Sequence, residues 1–473
     1  MGGHKNTNLP YNQHLIILIL LCLASFLLHI SPIFFIDLTQ YNYYDVDTWH
    51  FIRDAKLYTQ GYEITGDDIL ISKIGSAISF GQTDVKQIFF ILGFFNPILL
   101  VAMSFVIFFW LRYLIDERTA FYSAIIWLFP PDIYLNFQAS YGVFDHHLLE
   151  SSLFVILLLC SFCIIKKSRL FIPILIISVC AIIENSFTLS MVVIGSASLT
   201  SIIYGFYKIN NKKAYLGLIS AIILVLLVYA FAFRVNFIDI ISWSIDVPIS
   251  EMQPANIFWF TCAFGILLSI ITIGLFKENL IPEIKTLFVV SVIYGIGCFV
   301  FMRMEYLFFP TIMIISGYFL KGTLSKFIVI YLMIAIAMSG ICSYLIVENS
   351  RIYSGLSNST EILKHHQDGS VLSVWDNENF INATSDKPMA IPGWGYVKED
   401  SELLVSCNTT ITDLHTENIS YVLVSKYDSI KYQFLKGDMS GEFNCSFLNR
   451  SMYNDYGFET LYSDGEFYLY SVR

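Results

Sequence analysis

Apolar residues in this chain come in unbroken runs of about twenty, and no other feature limits its fold so strongly. A helix of roughly twenty apolar residues crosses the ~30 Å of hydrocarbon in a bilayer. A soluble core instead interleaves apolar and polar positions at the period of a helix or a strand. Eleven runs can be counted, at about 14–36, 87–114, 119–136, 148–165, 170–184, 187–206, 215–233, 257–276, 286–302, 304–320 and 327–347. The 473 residues are 56% hydrophobic and only 14% charged, with a mean hydropathy of +0.63. A soluble protein of this length could not bury that much apolar surface. The expected fold is a polytopic α-helical membrane protein. The first run, from His14 to about Ile36, is too long for a signal-peptide core and is expected to remain as the first helix.

Lys and Arg set the expected orientation. With the N-terminus inside, the cytoplasmic loops hold 13 of them and the outer loops 6, although the first outer loop alone (37–86) is fifty residues long. That is the positive-inside pattern. An odd number of spans then places the segment from about 349 to 473 outside. This tail is polar, with strand-like runs such as "SYVLVS" and "EFYLYSV". It carries 9 Lys/Arg against 17 Asp/Glu, most of the net charge of −10. All six Asn-x-Ser/Thr sequons fall in it, at Asn358, Asn382, Asn408, Asn418, Asn444 and Asn449, as expected of a segment outside the cell. The expected division is therefore a membrane part, 1–348, and an extracytoplasmic mixed α/β part, 349–473. Seven of the nine cysteines lie inside apolar runs, where cysteine is usually a small core residue. Cys407 and Cys445 lie in the tail, where a disulfide is permissible. No cysteine spacing suggests structural zinc, and an acidic chain without a basic stripe gives no reason to expect nucleic acid as a partner.

The polar residues that could do chemistry gather on the expected outer face. "YYDVDTWHFIR" (43–53) brings Asp45 and Asp47, and "YGVFDHHLLE" (141–150) brings Asp145, His146 and His147. "DVPISEMQPAN" (246–256) brings Asp246 and Glu251, and Arg303 stands near the outer end of a pair of runs. Any one such loop is ordinarily polar because it is wet. Four of them offer carboxylates and imidazoles, with little Lys, to one face. A hard divalent cation such as Mg²⁺ or Mn²⁺ takes oxygen ligands, with an imidazole acceptable to Mn²⁺. Asp47, Asp145 and His147 could supply them, and the i, i+2 spacing of Asp145 and His147 puts both on one face if the segment is extended. Arg303 is either a snorkelling anchor or a planar donor for a lipid phosphate.

Taken together these stretches resemble the catalytic subunit of oligosaccharyltransferase in its archaeal form. "DTWHFIR" (47–53) resembles the family's Asp-Pro-Trp pattern, with Thr48 in place of Pro. Phe144-Asp145-His146-His147 followed by Glu150 resembles its second acidic motif. Pro248-Ile249-Ser250-Glu251 with Gln253 and Pro254 resembles Thr-Ile-x-Glu. Arg303 with Tyr306 and Pro310 resembles the Arg-bearing span. The Trp-Trp-Asp-Tyr-Gly signature is degraded to Val374-Trp375-Asp376-Asn377-Glu378, and Asp428, Lys431 and Leu435 resemble a short helical motif after it. The likeness runs through the whole chain in order.

The resemblance implies a GT-C type fold of about 11–13 spans. It also implies transfer of a glycan from a polyprenyl or dolichyl phosphate or pyrophosphate carrier to the Asn of Asn-x-Ser/Thr in an acceptor polypeptide, by a single subunit at the outer face of the cell membrane. Asp47 and Glu251 would engage the acceptor amide, and Asp47, Asp145 and His147 would hold Mn²⁺ or Mg²⁺. Arg303 would bind donor phosphate, and Trp375 and Asp376 the sequon hydroxyl. Two other classes remain open on the residues alone. A related enzyme, such as a protein O-mannosyltransferase or a lipid-modifying transferase, would have no need of "ISEMQP" or "VWD". A non-enzymatic lipid carrier or transporter would need ionisable residues at mid-membrane depth.

Overall fold

The computed structural model of the protein describes residues 11–38, 46–62, 69–166, 168–185, 187–209, 257–276, 280–299, 304–322, 324–373, 377–388, 411–425 and 458–472. In chain order the α-helices among the described residues up to 352 are α1 (Tyr11–His29), α2 (Val46–Thr59), α3 (Ile69–Ile78), α4 (Val85–Leu92), α5 (Phe95–Leu114), α6 (Glu117–Leu128), α7 (Ile133–Gln138), α8 (His146–Ile165), α9 (Ile172–Asn185), α10 (Phe187–Lys208), α11 (Ile257–Leu275), α12 (Pro282–Cys298), α13 (Glu305–Leu320) and α14 (Phe327–Ile352). Each expected span overlies a helix except 215–233, which lies outside the described residues. Among the described residues three helical stretches are long and apolar enough to cross a membrane by themselves: Val85–Leu114, His146–Ile165 and Phe327–Ile352.

Two of the expected spans are shorter than their apolar runs, and proline is the reason in both. The first stops at His29, and the run continues as a 3₁₀ turn, Ser31–Phe34, with Pro32 inside it. The run at 119–136 is cut after Leu128 by Pro130 and Pro131, which cannot donate to a helix ladder. The Phe129 carbonyl left at the break accepts from Tyr331 Oη of α14 at 2.6 Å. Asp132 then caps α7 through Leu135 N at 2.9 Å. The long polar loop at 37–86 contains α2 and α3 among its described residues.

The bundle is built around α13. All 16 of its residues are buried, and it packs on α6, α8, α11 and α12. A Cβ at Gly317 would sit 2.2 Å from Ser123 Oγ of α6, so only glycine permits that approach. Peripheral helices expose apolar side chains outward, Leu20 and Leu23 on α1, Ile177 on α9 and Met333 on α14 among them, as a lipid-facing surface requires. At the opposite end from the site described below, Glu283 is buried but satisfied. It accepts from Tyr204 Oη at 2.7 Å and pairs with Lys166 Nζ at 3.1 Å, fastening α8, α10 and α12 together.

Beyond Ile352 the chain forms α15 (Ser354–His365), β1 (Ser370–Leu372), α16 (Glu378–Ser385), α17 (Ile411–Thr416), β2 (Ile419–Ser425), β3 (Phe458–Ser463) and β4 (Phe467–Val472). The sheet order is β1-β2-β4-β3. β1 and β2 are parallel, and the other pairs antiparallel, with Val422 opposite Tyr470 and Leu423 opposite Leu469. The β3–β4 hairpin turns at Gly465, φ +90°, where Asp464 Oδ1 accepts from the backbone N–H groups of Glu466 and Phe467, both at 2.8 Å. β2, an inner strand that contains "SYVLVS", is buried along almost its whole length.

This part closes over α2. Trp49 is fully buried between Phe89 of α4, stacked at 5.3 Å, and Phe380 of α16, edge-on at 4.7 Å. Arg53 Nη1 donates to Asn379 Oδ1 at 3.2 Å, and Lys56 Nζ pairs with Asp386 Oδ1 at 2.7 Å.

Candidate active site

α8 begins where the second acidic motif lies. Asp145 is extended, φ −132° and ψ 156°, and its carboxylate accepts from His146 N at 2.6 Å. A carboxylate at a helix start is doubly favoured, by the open N–H groups there and by the helix dipole. His146 and His147 are therefore the first helical residues, not part of an extended strand as the i, i+2 argument supposed. The helix start still brings all three together. His146 Nδ1 lies 2.8 Å and His147 Nε2 3.5 Å from the Asp145 carboxylate. One ligand atom from each of Asp145, His146 and His147 falls within 4.8 Å of the others. One turn on, Glu150 comes to 3.9 Å from His146 Nε2 and 3.7 Å from His147 Nδ1. All four side chains are buried. The ring of His147 stacks on Tyr306 of α13 at 4.8 Å, three residues beyond Arg303.

The loop that delivers Asp145 is pinned to three other elements. Tyr141 N donates to His29 O at 2.8 Å, at the end of α1. Gly142, at φ +88°, donates to Gly93 O between α4 and α5 at 3.2 Å. A Cβ on Gly93 would meet the Tyr141 ring at 2.7 Å, so Gly93 is there for close approach and Gly142 for its left-handed φ. Phe144 N donates to Thr48 Oγ1 of α2 at 3.0 Å. Thr48 thus links the residue after Asp47 to the residue before Asp145. The ring of Phe51 adds edge contacts to Phe144 at 6.4 Å and to His146 at 5.6 Å. Asp47 itself is half-buried in the first turn of α2.

One turn further along α2, His50 is half-buried. Burial pushes its imidazole below the ordinary range against the opposing pull of Asp54, which lies 3.5 Å away. Arg53 Nη2 is 3.1 Å from His50 Nδ1.

Of the residues assigned from sequence, the structure places Asp145 and His147 in one buried cluster, with Asp47 on the helix docked beside it. Glu251, Arg303, Val374, Trp375 and Asp376 lie outside the described residues, as do Asp45, Asp246, Cys407, Cys445, Asp428, Lys431 and Leu435. Next to the degraded signature, Ser373 Oγ donates to Leu423 O at 2.7 Å and Asn377 Nδ2 to Ser373 Oγ at 3.1 Å. Sequence reasoning passed over His146 and Glu150 as partners of the cluster. Their i, i+4 spacing carries the signal once a helix is started at residue 146.

The cluster offers a carboxylate and two imidazoles, with a second carboxylate one turn away. This donor set fits Mn²⁺ or Zn²⁺ better than Mg²⁺, which prefers an all-oxygen shell.

No family model and no curated protein matches the sequence. Solved structures do match the fold. The archaeal oligosaccharyltransferase AglB from Archaeoglobus fulgidus, in complex with an inhibitory peptide and a dolichol-phosphate, aligns with a TM-score of 0.67 at 14% identity over 98% of this chain and 74% of that one. An Archaeoglobus fulgidus oligosaccharyltransferase in complex with Zn and sulfate aligns at 0.61 and 14%, over 96% and 73%. ArnT from Cupriavidus metallidurans bound to undecaprenyl phosphate aligns at 0.61 and 8%, over 98% and 99%. The chain has the GT-C fold of these membrane enzymes.

Proposed function

We propose that the chain is a membrane glycosyltransferase that moves a glycan from a polyprenyl or dolichyl phosphate or pyrophosphate to the side-chain amide of Asn in Asn-x-Ser/Thr. The observation that carries this reading is the buried Asp145–His146–His147 cluster, docked against the helix of Asp47 in a fold shared with archaeal oligosaccharyltransferase. Two of those neighbouring structures hold a dolichol-phosphate with a peptide, and zinc with sulfate. The working face and the segment 349–473 lie outside the cell, the N-terminus inside, and 1–348 forms the membrane part.

A carboxamide nitrogen is a poor nucleophile because its lone pair is delocalised into the carbonyl. Asp47 and Glu251 accept its N–H bonds and hold charge on the nitrogen as it attacks C1 of the first sugar. Asp145 and His147, with Asp47, would hold the divalent ion, and His146 would complete the set. When bound, the ion supplies Lewis-acid stabilisation of the leaving phosphate oxygen. Arg303 donates to the same phosphate. Trp375 and Asp376 hold the Ser/Thr hydroxyl.

The test is to incubate the purified protein with Mn²⁺, a native lipid extract and a fluorescent Asn-x-Thr peptide. A slower-migrating product is expected, lost in Asp47→Ala and in Glu251→Ala. Full activity of Asp47→Ala would sink the mechanism. One observation favours a second reading. The alignment with ArnT spans nearly all of both chains, whereas about a quarter of the archaeal enzyme has no counterpart here. A transferase acting from a polyprenyl phosphate onto a lipid acceptor would fit that size. It predicts that the peptide stays unmodified while a lipid in the extract gains sugar.

A further inference from the structure

Three of the six sequons fall among the described residues, and the structure treats them differently. Asn382 lies in α16, whose neighbours Ile381 and Ala383 are buried. Its carboxamide oxygen is itself buried and unbonded, and the Thr384 hydroxyl is turned back onto Phe380 O at 2.6 Å. Asn358 is exposed on α15, but Thr360 is fully buried with its hydroxyl on Ser357 O at 3.0 Å. Both hydroxyls are therefore committed to their own helices.

Asn418 combines exposure with a place outside any helix. It stands in the turn before β2, in the left-handed region at φ +56°, and is exposed. Its carboxamide makes no hydrogen bond among the described residues. Its backbone is held from both sides, donating to His415 O at 3.1 Å and accepting from the Ser370 hydroxyl. The third sequon residue, Ser420, is only partly buried. A cleft of about 580 Å³ opens beside Asn418. Asp368, Ser370, Asp386, Lys387 and His415 line it with donors and acceptors of the kind that sugar hydroxyls need. Asp386 also pairs with Lys56 of α2, so one wall of the cleft is tied to that helix.

We propose that Asn418 is a glycosylation site of this chain. Asn418 Nδ2 bonds to C1 of the first sugar of a polyprenyl (pyro)phosphate-linked glycan. The C1–O bond to the carrier breaks, and the leaving phosphate keeps the electron pair. One amide proton passes to a carboxylate base and then to water. The inference rests on the proposed function as the source of the glycan.

The test is peptide mass spectrometry of the full chain purified from its native membrane, with transfer to an added Asn-x-Thr peptide measured on the same preparation. Sugar mass is expected on the peptide containing Asn418 and not on that containing Asn382. Asn418→Gln and Ser420→Ala should each remove it while leaving transfer to the added peptide unchanged. Finding the Asn418 peptide bare overturns the inference. If the added peptide is still glycosylated, the proposed function survives that result. If it is not, both fall. An occupied Asn418 without peptide transfer keeps the site and removes this enzyme as its source.

Discussion

Replacing Thr48 with Val should loosen the proposed metal centre without touching any ligand. Thr48 is fully buried and its hydroxyl accepts the N–H of Phe144, also fully buried, at 3.0 Å. Val keeps the shape and β-branching but offers no acceptor. A buried N–H left without a partner costs about 1–3 kcal/mol. Phe144 precedes Asp145 and Thr48 follows Asp47, so the cost falls on the register between the two carboxylates. If it is expressed wholly in the assembled site, Mn²⁺ affinity drops roughly 5- to 140-fold, at 1.4 kcal/mol per tenfold. Free Mn²⁺ in a titration, read by its EPR signal, gives the dissociation constant, and transfer to a fluorescent peptide gives the activation midpoint. Thr48→Ser keeps the hydroxyl and should stay close to wild type. Thr48→Pro installs the residue that the family pattern carries there, but it too lacks the acceptor and should shift in the same direction as Val. A Thr48→Val protein whose Mn²⁺ constant and midpoint both lie within twofold of wild type would refute this account.

Other outcomes follow from the same geometry. Exhaustive chelation should abolish transfer, and excess Mn²⁺ should restore it. His146→Ala and His147→Ala should each raise the Mn²⁺ midpoint, whereas a midpoint unchanged in His146→Ala would return His146 to a purely structural role. Val374→Trp, restoring the missing aromatic of the degraded signature, should sharpen rejection of Asn-x-Ala relative to Asn-x-Thr, because one neutral hydrogen bond is worth about 0.5–1.5 kcal/mol. If the wild type already rejects Asn-x-Ala as fully as the substituted protein, the change is silent. Burial lowers the pKa of His50 in the fold, so the unfolded chain binds a proton that the folded one resists. Stability should therefore be complete above the unfolded value, about 6.5, and decline as pH falls through it. Thermal melts at pH 5 and 8 should show a smaller difference in His50→Gln than in wild type, and an equal difference would exclude His50 as the source.

The apolar helices were legible because a long apolar run survives inspection without any knowledge of its neighbours. Their ends were less so. The apolar run of α8 starts at Leu148, but the helix starts at His146, because its first turn is spent on the site. Hydropathy cannot see a helix that opens with two histidines, so the pair reads as loop and the segment of Asp145 and His147 as extended. Asp145 carried the missing information, since a carboxylate ahead of a helical run is a capping signal. Likewise Thr48, Ile52 and Ala55, buried on α2, repeat at helical spacing inside what reads as a polar loop. The role of Thr48 could not be read at all. The sequence shows only a departure from a family pattern, and the hydrogen bond that gives it meaning joins residues 96 apart. The clamp of α16 on α2 is hidden for the same reason.

That clamp also sets a schedule for biosynthesis. α2 is made early, but Asn379 and Asp386, which hold Arg53 and Lys56, are 326 and 330 positions later in the chain. At roughly 5–20 residues per second, Trp49 waits on the order of 15–65 s after its synthesis before Phe380 exists to cover it. Throughout that interval an indole destined for full burial lacks one wall, on the helix that carries Asp47. A nascent chain released before residue 380 therefore presents a sticky, incomplete surface to membrane chaperones and proteases. The last-made segment acts as a completeness check on the first-made part of the site, so fragments cannot display a finished centre.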